Sequence, residues 1–293
     1  LEPELIEKCY KFADRTTGRI LLLRPDATAQ IARTVAMGMM GTQLPLRVSY
    51  RTSVFRYEPE HAGRDREIFQ VGAEYIGADA AAADSEMLIL MIECLKQVGL
   101  GSFKISLGHV GFFKGLLVRA GLSPAGQKRA EQAAARKDLP RLQEILASEQ
   151  VAARYASSII EAPELCGQAE VLDRGRVLAK GDKSATQALI RLATVYRLLC
   201  QAGYQDVIFL DLGEFRGFDY YDGVVFDVFA EGVGVELGGG GRYDHLIGRF
   251  GRNIPSTGFA LNVDRLFRGL QAQSSKSLAG SSKRIRKGPK RTS

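Results

Sequence analysis

The amino-acid sequence predicts an α+β fold in which an antiparallel sheet is flanked by helices. Strand-like runs follow one another through short links, a pattern that favours antiparallel pairing. The regular alternation of strand and helix that parallel βαβ units require does not occur, which disfavours a dinucleotide-binding fold. With 45% apolar residues among 293, the chain can bury a sizeable core.

The elements are predicted in chain order from their hydrophobic periods. Alternating or wholly apolar runs bounded by Gly, Pro and polar residues predict strands at GRILLL, RVSYRTSVFRY, EIFQVGAEYIG, FKISLGH, DVIFLDL, GVVFDVFA and STGFAL. Apolar residues that recur three and four positions apart predict helices at TAQIARTVAMGMM, AADSEMLILMIECLKQV and TQALIRLATVYRLLCQA. Between about 110 and 180 the sequence is polar and rich in Ala, which predicts a helical insertion that projects from the sheet.

Four consecutive glycines, Gly238–Gly241, stand within GVGVELGGGGRYD. No GK[ST] follows them and no helix-starting pattern begins there, so a phosphate loop is not supported. Two interpretations stay open. The glycines form a flexible or bulged turn, or they mark backbone that lies close against another strand or a ligand.

The net charge of +7 is concentrated at the C-terminus. From Gln271 onward there are seven Lys and Arg residues and no acid, which leaves 33 cations and 33 acids in the body. We therefore predict a core over residues 1–272 and a basic, disordered tail over 273–293. The alternative is an arm that binds nucleic acid or phosphate, although the neutral body makes nucleic acid an unexpected partner.

Cysteine and histidine usage limits the kinds of site. The four cysteines are scattered without a CxxC, which is typical of reduced thiols in a cytoplasmic protein. The three histidines lie far apart, so we expect neither a metal nor a cofactor. No run approaches 18 apolar residues, and no membrane span is expected.

The first polar cluster lies in LRPDATAQIAR, where Arg24 ends a strand and Asp26 and Thr28 begin a helix. Asp before an apolar helix is a common N-terminal cap, which is the structural interpretation. The functional interpretation is a carboxylate and a hydroxyl that receive an ammonium group.

The second cluster lies in VFRYEPEHAGRDREIFQVGAE, where Arg56 occupies an apolar strand. Gln70, Gly72 and Glu74 share one face of the returning strand because strand side chains alternate. They form either a solvated sheet face or a polar floor in which Gly72 opens space for a flat ring.

The third cluster is FRGFDYY, in which Arg216 is followed by Tyr220 and Tyr221, one on each face of an extended chain. An Arg fork suits a carboxylate, and a Tyr hydroxyl can bond to an imidazole. Taken alone, two half-buried core tyrosines explain the pair equally well.

Together these motifs resemble the catalytic core of histidyl-tRNA synthetase, a class II synthetase, from the first residues to about Leu270. FRYE with GRDREIFQVGAE resembles the second class motif, RGFDYY the histidine-specific segment, and GGGGRYD with STGFALNVDR the third motif. The resemblance implies a class II synthetase-like sheet and a histidine pocket. The expected histidine-binding residues are Asp26, Thr28, Arg56, Gln70, Glu74, Arg216, Tyr220, Tyr221 and Tyr243.

The resemblance also assigns a position to most of these residues. It implies that Asp26 and Thr28 meet the α-amino group of histidine and that Arg56 and Arg216 face its carboxylate. Gln70, Glu74, Tyr221 and Tyr243 are then expected to frame the ligand and its imidazole.

Departures from the synthetase pattern concern ATP and tRNA. Ile68 aligns with the family's adenine-stacking Phe, and Asn262 replaces a Gly of the third motif. Phe69 is adjacent to Ile68 but is expected on the opposite strand face. After Arg265 only 28 low-complexity residues follow, where the family has an anticodon-binding domain.

These departures make the sequence more similar to the synthetase paralogues that serve as regulatory subunits of ATP phosphoribosyltransferase. That resemblance implies a non-catalytic, allosteric, histidine-responsive subunit in histidine biosynthesis. It also implies L-histidine and a short-form ATP phosphoribosyltransferase catalytic subunit as partners, and a homodimer within a hetero-oligomer. The alternative is a truncated or divergent histidyl-tRNA synthetase that activates histidine with ATP.

Overall fold

An eight-stranded sheet dominates the protein, which we describe from a computed structural model over residues 6, 9–39, 41–57, 66–213 and 220–285. Two further short strands, β1 (Lys11–Ala13) and β2 (Ile20–Leu22), pair in a small separate sheet. The strands of the large sheet are β3 (Leu46–Phe55), β4 (Glu67–Ile76), β5 (Phe103–His109), β6 (Cys166–Gly167), β7 (Ile208–Asp211), β8 (Val224–Ala230), β9 (Gly238–Arg242) and β10 (Ser256–Asn262).

The spatial order of the large sheet is β3-β4-β10-β9-β8-β5-β7-β6. Within the described residues every neighbouring pair is antiparallel except β5 and β7, which run parallel. The predicted α+β class with a mostly antiparallel sheet is confirmed.

Helices cover both faces of this sheet. Their bounds are α1 (Thr28–Gly38), α2 (Ala81–Gln97), α3 (Val110–Arg119), α4 (Pro124–Ala135), α5 (Leu139–Ser148), α6 (Ala153–Glu161), α7 (Glu170–Leu178), α8 (Lys183–Gln201) and α9 (Val263–Ile285). The main apolar core joins α2, α3 and α8 to one face. A smaller cluster joins α1 to the other face near Ile76.

The predicted insertion corresponds to helices α3 to α7, but it does not simply project from the sheet. Phe112 of α3, Leu142 of α5 and Ile159 of α6 are fully or almost fully buried in the same core as the strands. Cys166 and Gly167 also pair with β7 at the sheet edge. The amphipathic pattern of these helices is satisfied by the main core, so the segment is continuous with it.

The glycine run forms strand β9 between β8 and β10. A Cβ atom at Gly240 would overlap the Gly258 carbonyl oxygen, and one at Gly241 would lie 2.6 Å from the Val224 carbonyl oxygen. The glycines therefore permit close strand approach, which supports the interpretation of backbone lying against another strand and excludes a bulged turn.

Helix α9 extends into the segment that the sequence predicts to be disordered. The Gln273 side chain accepts from the backbone nitrogens of Gly101 (2.9 Å) and Ser102 (3.0 Å) and donates to the Ser102 carbonyl (2.7 Å). These bonds attach the helix at Gln273 to the link between α2 and β5. The helix is described as far as Ile285, and the division into a core and a disordered tail stays a prediction. Residues 286–293 lie outside the described part. None of the described helices is long and apolar enough to cross a bilayer.

Candidate histidine-binding site

A polar cleft lies above β4, β9 and β10 on the sheet face that faces away from the main core. Strand alternation places Val71, Ala73 and Tyr75 against that core, whereas Gln70 and Glu74 point into the cleft. Eight of the nine predicted residues line it, namely Asp26, Thr28, Arg56, Gln70, Glu74, Tyr220, Tyr221 and Tyr243. The ninth, Arg216, lies outside the described residues, and its place in the cleft stays a prediction.

Glu74 is the most deeply buried of these residues, at 1% exposure. One carboxylate oxygen accepts from the Thr28 hydroxyl at 2.8 Å, and the other accepts from the Tyr243 hydroxyl. A Cβ atom at Gly258 of β10 would overlap the second oxygen. The glycine in STGFAL thus leaves the space in which the Glu74 carboxylate lies.

Asp26 makes the contact to the helix start that its sequence position predicts, and its second carboxylate oxygen contacts a tyrosine. Its Oδ1 accepts from the backbone nitrogen of Ala29 at 2.8 Å in the first turn of α1, as an Asp near a helix start commonly does. Its Oδ2 accepts from the Tyr220 hydroxyl at 3.2 Å. Helix α1 therefore fixes one oxygen and leaves the other oxygen directed to the tyrosines.

Burial makes both carboxyl groups weak acids. Loss of water contact raises the pKa of Glu74 to about 8, against the lowering effect of hydrogen bonds from Tyr243 and Thr28. Burial also raises the pKa of Asp26, although the Ala29 nitrogen and the Arg56 charge act in the opposite direction. Two such carboxyl groups in one cleft favour a cationic ligand, because a cation restores the charged form of each.

The tyrosines form one wall of the cleft. The ring centroids of Tyr220 and Tyr221 lie 4.6 Å apart, and those of Tyr220 and Tyr243 lie 6.0 Å apart. The prediction that Tyr220 and Tyr221 point to opposite faces is wrong, because both line the cleft. They precede β8 in an irregular segment where strand alternation does not apply.

Arg56 follows β3 and supplies positive charge beside the buried acids. Its Nε donates to the Pro25 carbonyl at 2.9 Å, which ties the end of β3 to the residue before Asp26. Gln70 is buried on the same face of β4 as Glu74 and lines the cleft. An Arg and an amide beside two carboxylates provide partners for both ends of a zwitterion.

Two residues that depart from the synthetase pattern, Ile68 and Asn262, line the cleft near Arg265. Ile68 is buried and lines it, whereas Phe69 is 39% exposed and is not part of the lining. The Asn262 side chain accepts from the Arg265 backbone nitrogen at 3.0 Å, which caps α9. The Arg265 guanidinium donates to the backbone and side chain of Glu236, at 2.9 and 2.5 Å.

Sequence reasoning missed Tyr50, which fills the space that Gly72 was expected to leave for a ligand. In the β3–β4 register Tyr50 lies opposite Gly72. A Cβ atom at Gly72 would be 2.5 Å from the Tyr50 Cζ and 2.6 Å from its hydroxyl oxygen. The cleft is therefore lined by Gln70 and Glu74, and the Tyr50 ring, which is not part of the lining, occupies the space over Gly72. An aromatic residue often lies over a glycine on the neighbouring strand, and this pairing could have identified Tyr50. Using it requires knowing the register of β3 against β4, which the sequence alone does not provide.

A second buried network, also missed, supports the tyrosine wall. Arg242, 1% exposed, donates to Asp84 of α2 at 2.8 Å and to Asp244 at 2.9 Å. The Asp222 side chain accepts from the backbone nitrogen of Asp244 at 3.0 Å. These bonds connect the segment around Tyr221 with the residues on either side of Tyr243. Within the described residues, no group of three His, Cys, Asp or Glu side chains is arranged to hold a metal ion.

The geometry agrees with what comparison with known proteins finds. The family model for histidyl-tRNA synthetase matches residues 2–266. The ATP phosphoribosyltransferase regulatory subunit of Geobacter metallireducens is 40% identical over 271 residues, which cover 92% of this chain and 62% of that protein. The regulatory subunit of Moorella thermoacetica is 41% identical over 271 residues, covering 92% of this chain and 69% of that protein.

Solved structures agree with these relatives. A protein from Bacillus halodurans, described as an ATP phosphoribosyltransferase regulatory subunit/histidyl-tRNA synthetase, has a TM-score of 0.82 and 32% identity over 89% of this chain and 68% of that one. A histidine–tRNA ligase subunit from Alicyclobacillus acidocaldarius has a TM-score of 0.78 and 27% identity over 93% of this chain and 83% of that one. The chain spans about three-fifths of the length of the Geobacter relative.

An antiparallel sheet with a polar cleft over its central strands, together with these matches, defines a class II synthetase-like core. The chain belongs to the histidyl-tRNA synthetase family and, within it, to the branch of ATP phosphoribosyltransferase regulatory subunits. The resemblance drawn from the sequence motifs is confirmed.

Proposed function

We propose that this chain is a histidine-binding, non-catalytic regulatory subunit of a short-form ATP phosphoribosyltransferase. One observation carries the proposal: Asp26 and Glu74 are two buried carboxyl groups in one cleft, surrounded by hydroxyl groups. Histidine offers two nitrogen groups that can carry positive charge, and it places them at opposite ends of a small molecule.

The proposed orientation follows from the positions of the charges. The ammonium group of histidine binds between Asp26 and the Thr28 hydroxyl, and the imidazole donates to Glu74. The ligand carboxylate faces Arg56, and Arg216 is assigned to the same side by the family resemblance. An aliphatic side chain in place of the imidazole would leave the buried Glu74 carboxylate without a donor from the ligand, which is costly.

The absence of catalysis is proposed from the outer end of the cleft. Ile68 offers no aromatic face for a base. The Arg265 guanidinium donates to the Glu236 carboxylate and to the Glu236 backbone carbonyl, so it is already engaged by an anion. The Asn262 side chain, which caps α9, adds volume where the family resemblance expects Gly.

The proposed mechanism of control is allosteric. Histidine binds one arrangement of the complex more tightly than another, and this difference shifts the activity of the catalytic partner. A coupling free energy of about 1 to 3 kcal/mol corresponds to a change in affinity of roughly 5- to 150-fold. The cleft is the effector site, and catalysis takes place in the other subunit.

The direct test is reconstitution with a short-form ATP phosphoribosyltransferase. We expect the two chains to co-purify and histidine to inhibit the assembled complex. A chain that neither co-purifies with the catalytic subunit nor binds histidine by calorimetry would contradict the proposal.

The second candidate function is histidine activation by a divergent synthetase. The continuity of the cleft from Glu74 to Gly238, Gly239 and Arg265 favours it, because one ligand could span both ends. Histidine-dependent exchange of pyrophosphate into ATP distinguishes the candidates. A regulatory subunit gives exchange at the background level, and a synthetase gives exchange that depends on both histidine and the enzyme.

A further inference from the structure

An open groove lies between α7 and α8, on a different part of the molecule from the polar cleft. Residues of α8 line it at positions 186, 189, 190, 193, 194, 196, 197 and 200, residues of α7 line it at 172 and 176, and Ala179 lines it just after the end of α7. Spacings of three and four over this length are typical of a helix that packs against another helix. The opposite side of α8 is already packed against α2 and α3.

The groove combines apolar contact surface with positive charge. Ile190, a large aliphatic residue in the lining of the groove, is 59% exposed. Arg176 and Arg197 line the groove, and no Asp or Glu does. Arg176 also bonds to Asp173 on its own helix, whereas Arg197 has no ion pair within the described part of the chain.

The dimensions of the groove suit a helix as occupant. From Thr186 to Cys200 the lining spans 15 residues, and the distance from the first to the last corresponds to about 21 Å of helix. A partner helix of about four turns covers this length and presents its own stripe of apolar residues.

Charge argues against two possible occupants of the groove, the C-terminal segment of this chain and a second copy of the chain. The C-terminal segment from 276 to 293 carries seven cations and no acid, so it does not complement Arg176 and Arg197. A second copy bound through the same groove would bring two surfaces of the same positive charge together, because a two-fold interface pairs identical surfaces. The charge of the groove therefore favours an acidic partner.

We propose that the groove between α7 and α8 is the docking site for an amphipathic helix with an acidic flank on the catalytic subunit. Ile190 and Ala193 contact the apolar face of that helix, and Arg197 pairs with its acidic flank. The proposal rests on the proposed function, because it names the catalytic subunit as the source of the helix.

The test compares charge insertion in the groove with charge insertion elsewhere. Sedimentation velocity with the short-form catalytic subunit measures affinity for wild type, Ile190→Glu, Arg197→Glu and Phe267→Glu. Phe267 is 57% exposed and lies outside the groove lining, which makes it a matched control. We expect both groove variants to weaken association at least about tenfold and the control to bind like wild type.

A second measurement does not depend on variants. The cysteines of the described residues are free, with Cys200 in the groove lining and Cys94 exposed on α2 away from it. We expect complex formation to slow alkylation of Cys200 and to leave that of Cys94 unchanged. Added salt should weaken association of the wild type more than that of Arg197→Gln.

The outcomes separate the two proposals. If wild type binds the catalytic subunit while both groove variants bind equally well and Cys200 stays reactive, the groove assignment is wrong and the proposed function stands. If wild type does not bind the catalytic subunit at all, both are wrong. Unchanged melting temperature and histidine binding in the variants would show that they remain folded.

Discussion

At the scale of single residues, Glu74 decides the chemistry of the cleft. It is held by Thr28 and Tyr243 from two different elements, and Gly258 leaves the space for its carboxylate. A ligand that donates to Glu74 gains a charge-assisted hydrogen bond, whereas a ligand without a donor leaves the buried carboxylate with only its bonds from Thr28 and Tyr243. The selectivity proposed for histidine therefore depends on this one group.

Replacing Glu74 by Gln tests that dependence. Glu74→Gln keeps the shape and removes the charge, so we expect histidine affinity to fall by roughly 10- to 150-fold, equivalent to about 1.5 to 3 kcal/mol. Calorimetric titration measures the change. Glu67→Gln, on the exposed start of the same strand, is the matched control and should bind histidine like wild type. Equal affinity in the Glu74 variant would show that histidine binds elsewhere.

The raised pKa of Glu74 predicts a pH-dependent stability in the ligand-free protein. The folded-state pKa is about 8, above the ordinary value of 4.5, so between these values the folded state binds more protons than the unfolded state. Stability present at low pH is therefore lost as pH rises to about 8. Relative to Glu74→Gln, wild type should lose at most about 1.4 kcal/mol per pH unit in this window.

Chemical denaturation of both proteins across this pH range provides the measurement. The raised pKa of Asp26 acts in the same direction in both proteins, so the difference between them isolates Glu74. Parallel stability curves for the two proteins would show that Glu74 is solvated and ionised as usual.

At the scale of elements, the segments with a clear hydrophobic pattern were predictable and the segments without one were not. Helices α1, α2 and α8 and strands β3, β4 and β10 carry clear hydrophobic periods, and the structure places them within a few residues of the predictions. Strand β6 has two residues and β9 is mostly glycine, so neither carries a side-chain period. Such strands exist because neighbouring strands supply their hydrogen bonds.

The same distinction applies to the cleft. The residues lining it that were predicted from the sequence lie in motifs in which several polar residues occur close together in the chain. Tyr50 and the Arg242–Asp84 pair depend on contacts across strand register or across 158 positions of sequence. Only the folded arrangement brings such residues together.

Truncation tests where α9 ceases to contribute to stability. Removing 276–293 should leave the melting temperature and histidine binding unchanged. Removing 273–293 also deletes Gln273, which makes three hydrogen bonds to Gly101 and Ser102. Because these bonds are exposed, we expect a loss of about 1 kcal/mol, seen as a lower melting temperature. Equal stability of the two truncated proteins would show that the Gln273 contacts contribute nothing to stability. A large fall in RNA affinity on truncation would support the alternative of a nucleic-acid arm.

At the scale of the whole molecule, the cleft and the groove lie on different parts of the fold and are given separate roles. The cleft is built from β4, β9 and β10 with α1, whereas the groove lies between α7 and α8. Helix α8 also packs on α2, whose Asp84 bonds to Arg242 beside the tyrosine wall. A regulatory subunit requires such a connection between an effector site and a partner surface.

In the assembled complex, Glu74→Gln should change the response to histidine and leave the uninhibited rate nearly unchanged. The catalytic centre belongs to the other subunit in the proposed function, so a substitution in the effector cleft weakens binding of the inhibitor without touching the reacting groups. The histidine concentration for half-maximal inhibition should rise roughly 10- to 150-fold, in parallel with the loss of affinity. Initial rates of the reconstituted complex over a histidine series provide the measurement, with Glu67→Gln as control. If calorimetric affinity falls while the inhibition curve stays in place, the cleft binds histidine but a different site controls the enzyme.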